Sequence, residues 1–129
     1  MASVFTRIIN REIPGYIVAE SDNFIAFLDI TPIAKGHCLV IPKKEVDYIF
    51  DIDDDNYMQL FQFAKLVADK IKKAMPCIKV GMAVIGLEVP HAHIHLVPMN
   101  NIGDLSFSGK RLNLSELEFI EIQNKILNA

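Results

Sequence analysis

The spacing of apolar residues changes twice along the chain, and each change marks a new element. Over residues 54–75 the apolar positions Tyr57, Leu60, Phe61, Ala64, Val67, Ala68, Ile71 and Met75 recur every three or four residues, which predicts one long helix stopped by Pro76. Phe63 and Leu66 lie off that stripe and suit either core or a contact between two copies. Ahead of the helix the period shortens. A brief helical spacing over residues 5–10 breaks at Pro14-Gly15, and strand-like runs follow at 16–21 and 24–28, joined by the turn-forming pair Asp22-Asn23. A third run, 37–41, closes on Pro42, whose missing amide hydrogen suits a strand end. Beyond the helix, strands are expected near 78–85 and 92–97, with Gly86 turning the chain so that the two pair antiparallel. The tail over 115–127 predicts a final helix, with Ser115 and Glu118 spaced as a capping box and Leu117, Ile120, Ile126 and Leu127 apolar. These elements make an α+β chain: an antiparallel sheet of about five strands, one long central helix, and shorter helices at the two ends.

Composition narrows the class. With 129 residues, 51% of them hydrophobic and 22% charged, residues 1–129 suit one domain with a sizeable core. The formal net charge is −3 and the basic pairs Lys43-Lys44 and Lys72-Lys73 are scattered, so a broad cationic surface for duplex nucleic acid is not expected, while small anionic ligands remain open. Cys38 and Cys77 are too few and too far apart for a disulfide framework, which fits a reducing cytoplasm. No apolar run approaches a membrane span and the first residues lack a signal-peptide core, so the expectation is a soluble cytoplasmic protein. Asp51-Ile52-Asp53-Asp54-Asp55 begins like a calcium loop, but Asn56 and Gln62 stand where such a loop needs Gly and Glu, and the acids suit the amino end of the long helix instead.

The chemistry concentrates in the histidines. The chain has four, His37 and the alternating set His91, His93 and His95. On an extended strand, residues two apart share a face, so three imidazoles project from one side while Ala92, Ile94 and Leu96 project from the other. Imidazole serves near neutral pH as nucleophile, acid or metal ligand, so this row is either a metal site or a catalytic surface. No neighbouring residue completes a metal site well: Glu88 is the adjacent carboxylate, and Cys38 would point to the opposite face from His37.

The segment His91-Ala92-His93-Ile94-His95-Leu96-Val97 resembles the signature of the histidine triad (HIT) family. Residues 5–14 are similar to that family's amino-terminal segment, and 26–32 with 36–44 to its central block, so the resemblance covers residues 3–98 and leaves 99–129 as a carboxy-terminal extension. It implies a HIT-like fold and a nucleotide hydrolase acting at the α-phosphate of nucleoside phosphoramidates or dinucleoside polyphosphates, usually as a homodimer. On that resemblance His93 is the nucleophile, held at one nitrogen by the backbone carbonyl of His91, while His95 and His37 donate hydrogen bonds to the phosphoryl oxygens. Asp29 matches the acid that binds the ribose hydroxyls, and Phe5, Ile8, Phe27 and Ile30 match positions lining a purine pocket.

The departures carry expectations of their own. Many members bind structural zinc through two cysteines, a histidine and the first triad histidine; the matching positions here are Ser3, Thr6, Glu45 and His91, so no zinc or other cofactor is expected. The loop over 84–90 lacks the asparagine and glutamine that other members place there, with Leu87 at the glutamine position. Glu88 falls beside the expected phosphate, where a carboxylate repels substrate unless it points away or meets a cationic leaving group. That tilts the reading toward phosphoramidates or amine-bearing substrates, and it equally fits a slow enzyme. Three functional classes therefore stand: the hydrolase, a nucleotide-binding regulatory protein that has lost most activity, and a metal-dependent hydrolase using the triad as ligands.

Overall fold

A computed structural model describes residues 2–129 of the chain. It holds α1 (Val4–Ile9), β1 (Ile17–Glu20), β2 (Phe24–Leu28), β3 (Cys38–Pro42), α2 (Asp54–Ala74), β4 (Lys79–Ala83), β5 (Ile94–Met99) and α3 (Glu116–Leu127), with single 3-10 turns at Ile49–Asp51 and Ile102–Asp104. The strands form one antiparallel sheet in the order β1-β2-β3-β5-β4. This is the α+β arrangement that the apolar periods predict. None of the described helices is long and apolar enough to cross a membrane.

Each helix starts where the sequence offers a cap. Asp53 Oδ2 accepts the Asn56 amide at the head of α2, and Asp54 and Asp55 place negative charge against the helix dipole there. The Ser115 hydroxyl accepts the Glu118 amide at α3 while Glu118 returns the bond to the Ser115 amide, completing the capping box. Along α2, Leu60, Ala64, Val67 and Ile71 are buried, as their spacing requires. Leu66 is exposed and Phe63 packs on Phe24. In α3 the buried stripe is Phe119, Ile122 and Ile126; Leu117, Ile120 and Leu127, expected on the apolar side, are exposed because the stripe at three- and four-residue spacing runs through Phe119 instead.

Strands β2 and β3 are buried along their whole length, so each has two apolar faces. Phe24, Ala26, Leu28, Cys38 and Val40 join the core under α2 and α3, while Ile25, Phe27, Leu39 and Ile41 cluster with Phe5 on the other side, where Ile8 of α1 and Val89 of the 84–90 loop cover them. The second face is the one that carries the histidines. One local correction concerns β5: the ladder begins at Ile94 and runs to Met99, so only His95 of the triad lies within it. The stretch before it is held differently, by bonds from the His91 amide to the Val89 carbonyl and from the Ala92 amide to the Val46 carbonyl. The alternation of faces still holds, since Ala92, Ile94 and Leu96 all enter the helix-side core.

His37 enters β3 through a turn that only glycine makes cheaply. Gly36 has φ of 97°, and a Cβ there would meet the Met75 side chain at 2.7 Å and Pro98 at 3.2 Å. Gly36→Ala is therefore expected to lower the unfolding free energy by about 2 kcal/mol, read as a lower denaturant midpoint at unchanged slope.

Candidate active site

The four histidines converge on the α1 side of the sheet, and all four are buried, with His37 at 1% and His91 at 0% exposure. The hydrogen bonds around them fix where each ring carries its proton. His93 Nδ1 lies 2.7 Å from the His91 carbonyl oxygen. A carbonyl only accepts, so Nδ1 bears a hydrogen, and in the neutral ring the lone pair is on Nε2. His37 Nδ1 accepts the Ile33 amide at 3.0 Å, so its hydrogen sits on Nε2, which donates to His95 Nδ1 at 3.0 Å. That leaves the His95 hydrogen on Nε2. His91 Nε2 donates to the Pro42 carbonyl at 2.7 Å, and its Nδ1 accepts from the Ser3 hydroxyl at 2.9 Å. Among the described residues the ring nitrogens left without a protein partner are His93 Nε2, a lone pair, and His95 Nε2, a donor.

Burial disfavours the charged form of His37, His91 and His95. It lowers the pKa of His37 to about 4, with the Arg111 charge second, and that of His95 to about 3, with its histidine neighbours adding to the effect. His91 is lowered by burial as well, against the opposing pull of the Pro42 carbonyl and Glu45.

His93 and His95 line a cavity of about 390 Å³, within the size range of small-molecule sites. Of the other residues singled out in the sequence, Phe5, Ile8, Phe27, Asp29, Ile30 and Glu88 line it too, with Ile30 and Glu88 exposed at its rim. His37 and His91 do not. His37, expected to donate to the phosphoryl oxygens, bonds His95 Nδ1, and His91 bonds His93 Nδ1 through its carbonyl. Phe5, carried on α1, sets its ring edge-on to His93 at 5.0 Å and to Phe27 at 5.4 Å, which joins the apolar wall to the reactive ring. Asp29 also builds its own turn: Oδ1 accepts the Thr31 amide at 2.8 Å, leaving Oδ2, 3.5 Å from His37 Nε2, as the less committed oxygen.

Among the cavity residues that the sequence did not single out are Phe107 and Arg111. Both lie in the extension after the triad, where the adjacent cations Lys110-Arg111, three residues after an aromatic one, were the available signal.

Asp29, His37 and His95 place one possible ligand atom each within 4.8 Å of one another. Their hydrogen bonds argue against a cation there: with His37 Nδ1 already accepting the Ile33 amide, a metal on Nε2 would require an imidazolate. The positions matching the family's zinc ligands also meet, and they form a hydrogen-bonded cluster. Glu45 Oε1 accepts from the Ser3 amide at 2.6 Å and the Thr6 hydroxyl at 2.7 Å, which holds its carboxyl down at about 2. Ser3 in turn caps α1 by accepting the Thr6 amide and donates to His91.

Comparison with known proteins places this geometry. A family model described as HIT domain matches residues 10–102. The chain belongs to the HIT domain family. Its relatives in that family include an uncharacterized HIT-like protein of Borreliella burgdorferi, 34% identical over 95% of this chain and 94% of the relative, and the adenosine 5'-monophosphoramidase of Saccharomyces cerevisiae, 36% identical over 75% of this chain and 62% of the relative. Among solved HIT structures, a Hit-like protein from Bartonella henselae superposes with a TM-score of 0.84 at 28% identity, covering 98% of this chain and 95% of the other. The fold is HIT-like throughout.

The buried rings make HIT-site stability depend on pH. In the unfolded chain His37 and His95 take up protons near pH 6.5, but in the folded chain only near pH 4 and 3 respectively. Over that interval the unfolded state holds more protons, so stability falls as pH drops from 6.5 toward 4, by up to about 1.4 kcal/mol per pH unit for each ring. Unfolding titrations between pH 7 and 6, above the range where carboxylates contribute appreciably, should show this slope, and His37→Asn should reduce it.

Proposed function

We propose that this HIT protein is a nucleotide hydrolase that attacks the α-phosphate of nucleoside phosphoramidates or dinucleoside polyphosphates through a covalent nucleotidyl-His93 intermediate. The observation that carries the reading is the pairing of an unpartnered lone pair, His93 Nε2, with an unpartnered donor, His95 Nε2–H, at one apolar cavity. The name borne by the yeast relative, adenosine 5'-monophosphoramidase, supports the phosphoramidate class.

In this reading His93 Nε2 forms a bond to phosphorus as the bond from phosphorus to the leaving nitrogen or oxygen breaks. Positive charge grows on the ring and is met by the His91 carbonyl at Nδ1. His95 Nε2–H donates a hydrogen bond to the side of the phosphoryl group where negative charge grows, and His37 holds it in that tautomer. Water then attacks the same phosphorus, the bond to His93 breaks, and its electron pair returns to Nε2. A leaving nitrogen takes its proton from solvent as its bond to phosphorus breaks, and the attacking water returns one proton to solvent in the second step, so the sum is hydrolysis. The other residues bind: Phe5, Ile8, Phe27 and Ile30 enclose a purine base and Asp29 Oδ2 accepts from the ribose. Neither step needs a metal or other cofactor.

The reading includes a cytoplasmic homodimer, for which β4 offers a sheet edge with exposed Ile78 and Met82 nearby. A second reading, a nucleotide-binding regulatory protein, draws on the 84–90 loop, where Leu87 is exposed and Glu88 faces the cavity.

The two separate on one variant. His93→Ala is expected to lower kcat on an adenosine phosphoramidate by at least about 1,000-fold while leaving the AMP dissociation constant within about threefold of wild type. Turnover by the wild type no faster than by the variant, with AMP still bound, would favour the regulatory reading.

A further inference from the structure

Catalysis at a phosphate calls for positive charge, and the loop over 84–90 brings none to the cavity: it contributes Leu87, Glu88 and apolar groups. Among the residues lining the cavity the sole side chain with a permanent positive charge is Arg111. It comes from the segment between β5 and α3. The segment is tied down at this point, since Arg111 Nη1 donates to the Thr31 carbonyl at 2.7 Å and Nη2 to the Phe107 carbonyl at 3.4 Å. The Leu112 amide adds a bond to the Pro32 carbonyl at 2.8 Å. The Arg111 guanidinium stands 5.7 Å from the Phe107 ring, and that ring packs edge-on against His95 at 4.6 Å between centroids.

A guanidinium has five N–H donors, and the two bonds above use two of them. Among the described residues no carboxylate lies within ion-pair distance of Arg111. A cation with three donors to spare, placed beside a neutral His95 and lacking an acid partner, is matched to an anionic ligand with several oxygens.

We infer that Arg111 is the phosphate-binding cation of this site, donating to the non-bridging oxygens of the phosphoryl group that His93 faces. The inference rests on the nucleotide reading above and adds to it a residue outside the triad core. It also changes what Glu88 implies. The cavity has a cationic wall at Arg111 and an anionic rim at Glu88, so the phosphate is held from the carboxy-terminal segment and the leaving group meets the carboxylate. That favours a leaving group that is a neutral or cationic amine over one carrying further phosphates.

The test compares AMP with adenosine, which lacks the phosphate, on the full chain and its Arg111→Gln and Arg111→Lys variants by titration calorimetry. Arg111→Gln is expected to weaken AMP about 10- to 100-fold while adenosine stays within about twofold, with Arg111→Lys between. Raising salt should weaken AMP binding to the wild type more than to Arg111→Gln. Equal AMP affinity in wild type and Arg111→Gln would overturn the inference, and so would a parallel loss of AMP and adenosine, which would assign Arg111 to the structure of the segment alone. If the wild type binds adenosine and AMP equally, Arg111 contacts no phosphate and the inference fails while the nucleoside site stands. If it binds neither, the nucleotide reading itself fails. For turnover, Arg111→Gln should lower kcat/KM on an amine phosphoramidate about 10- to 100-fold; a loss confined to dinucleoside polyphosphates would place Arg111 on a distal phosphate and contradict the assignment.

Discussion

The hydrogen bond from His93 Nδ1 to the His91 carbonyl, 2.7 Å long, is the contact on which the rest of the site depends. It joins residues two apart in sequence, so it can form only where the His91 carbonyl is not taken up by a sheet ladder. The chain meets that condition by starting β5 at Ile94 and anchoring the preceding residues to Val89 and Val46 instead. The same carbonyl decides which nitrogen of His93 is free. Without it the ring could present either N–H or lone pair to the cavity, and the direction of attack would be undefined.

Around that bond the polar groups form two chains of donors and acceptors, each ending at the cavity. One runs from the Ile33 amide through His37 to His95 and ends in an N–H. The other secures His91 between the Ser3 hydroxyl and the Pro42 carbonyl, and through its own carbonyl ends in the His93 lone pair. Apart from His93 Nε2 and His95 Nε2, which open onto the cavity, no buried side-chain polar atom among the described residues lacks a partner, which is the condition for such a network to favour a single arrangement. Ser3, Thr6 and Glu45 hold α1 against His91 by hydrogen bonds, at the positions that the family resemblance matches to zinc ligands.

Much of this could be read from the sequence, because it follows from local periodicity. The three- and four-residue spacing located α2, and the alternation through Ala92, Ile94 and Leu96 assigned the histidines to the face opposite the core under α2 and α3. What could not be read depends on how distant segments meet. His37 is 58 residues from His95, and nothing in either local pattern says which of them stands in front. Phe107 and Arg111 lie in a segment without regular structure, so no periodicity pointed to them, and their role comes from the folding of that segment back over Thr31 and Pro32. In α3 the apolar residues outnumber the places in the core, and the sequence alone did not rank Phe119 above Leu117.

Hydrogen bonds fix where the four imidazoles carry their hydrogens, at His93 Nδ1 and at Nε2 of His37, His91 and His95, which turns His93 Nε2 and a His95 N–H toward the cavity. Nitrogen NMR of protein with labelled histidine at pH 7, assigned by single substitutions, reads this directly. The expected spectrum shows His37, His91 and His95 neutral and protonated at Nε2, and His93 carrying a hydrogen at Nδ1. A charged His95, or a His93 protonated at Nε2 alone, would contradict it.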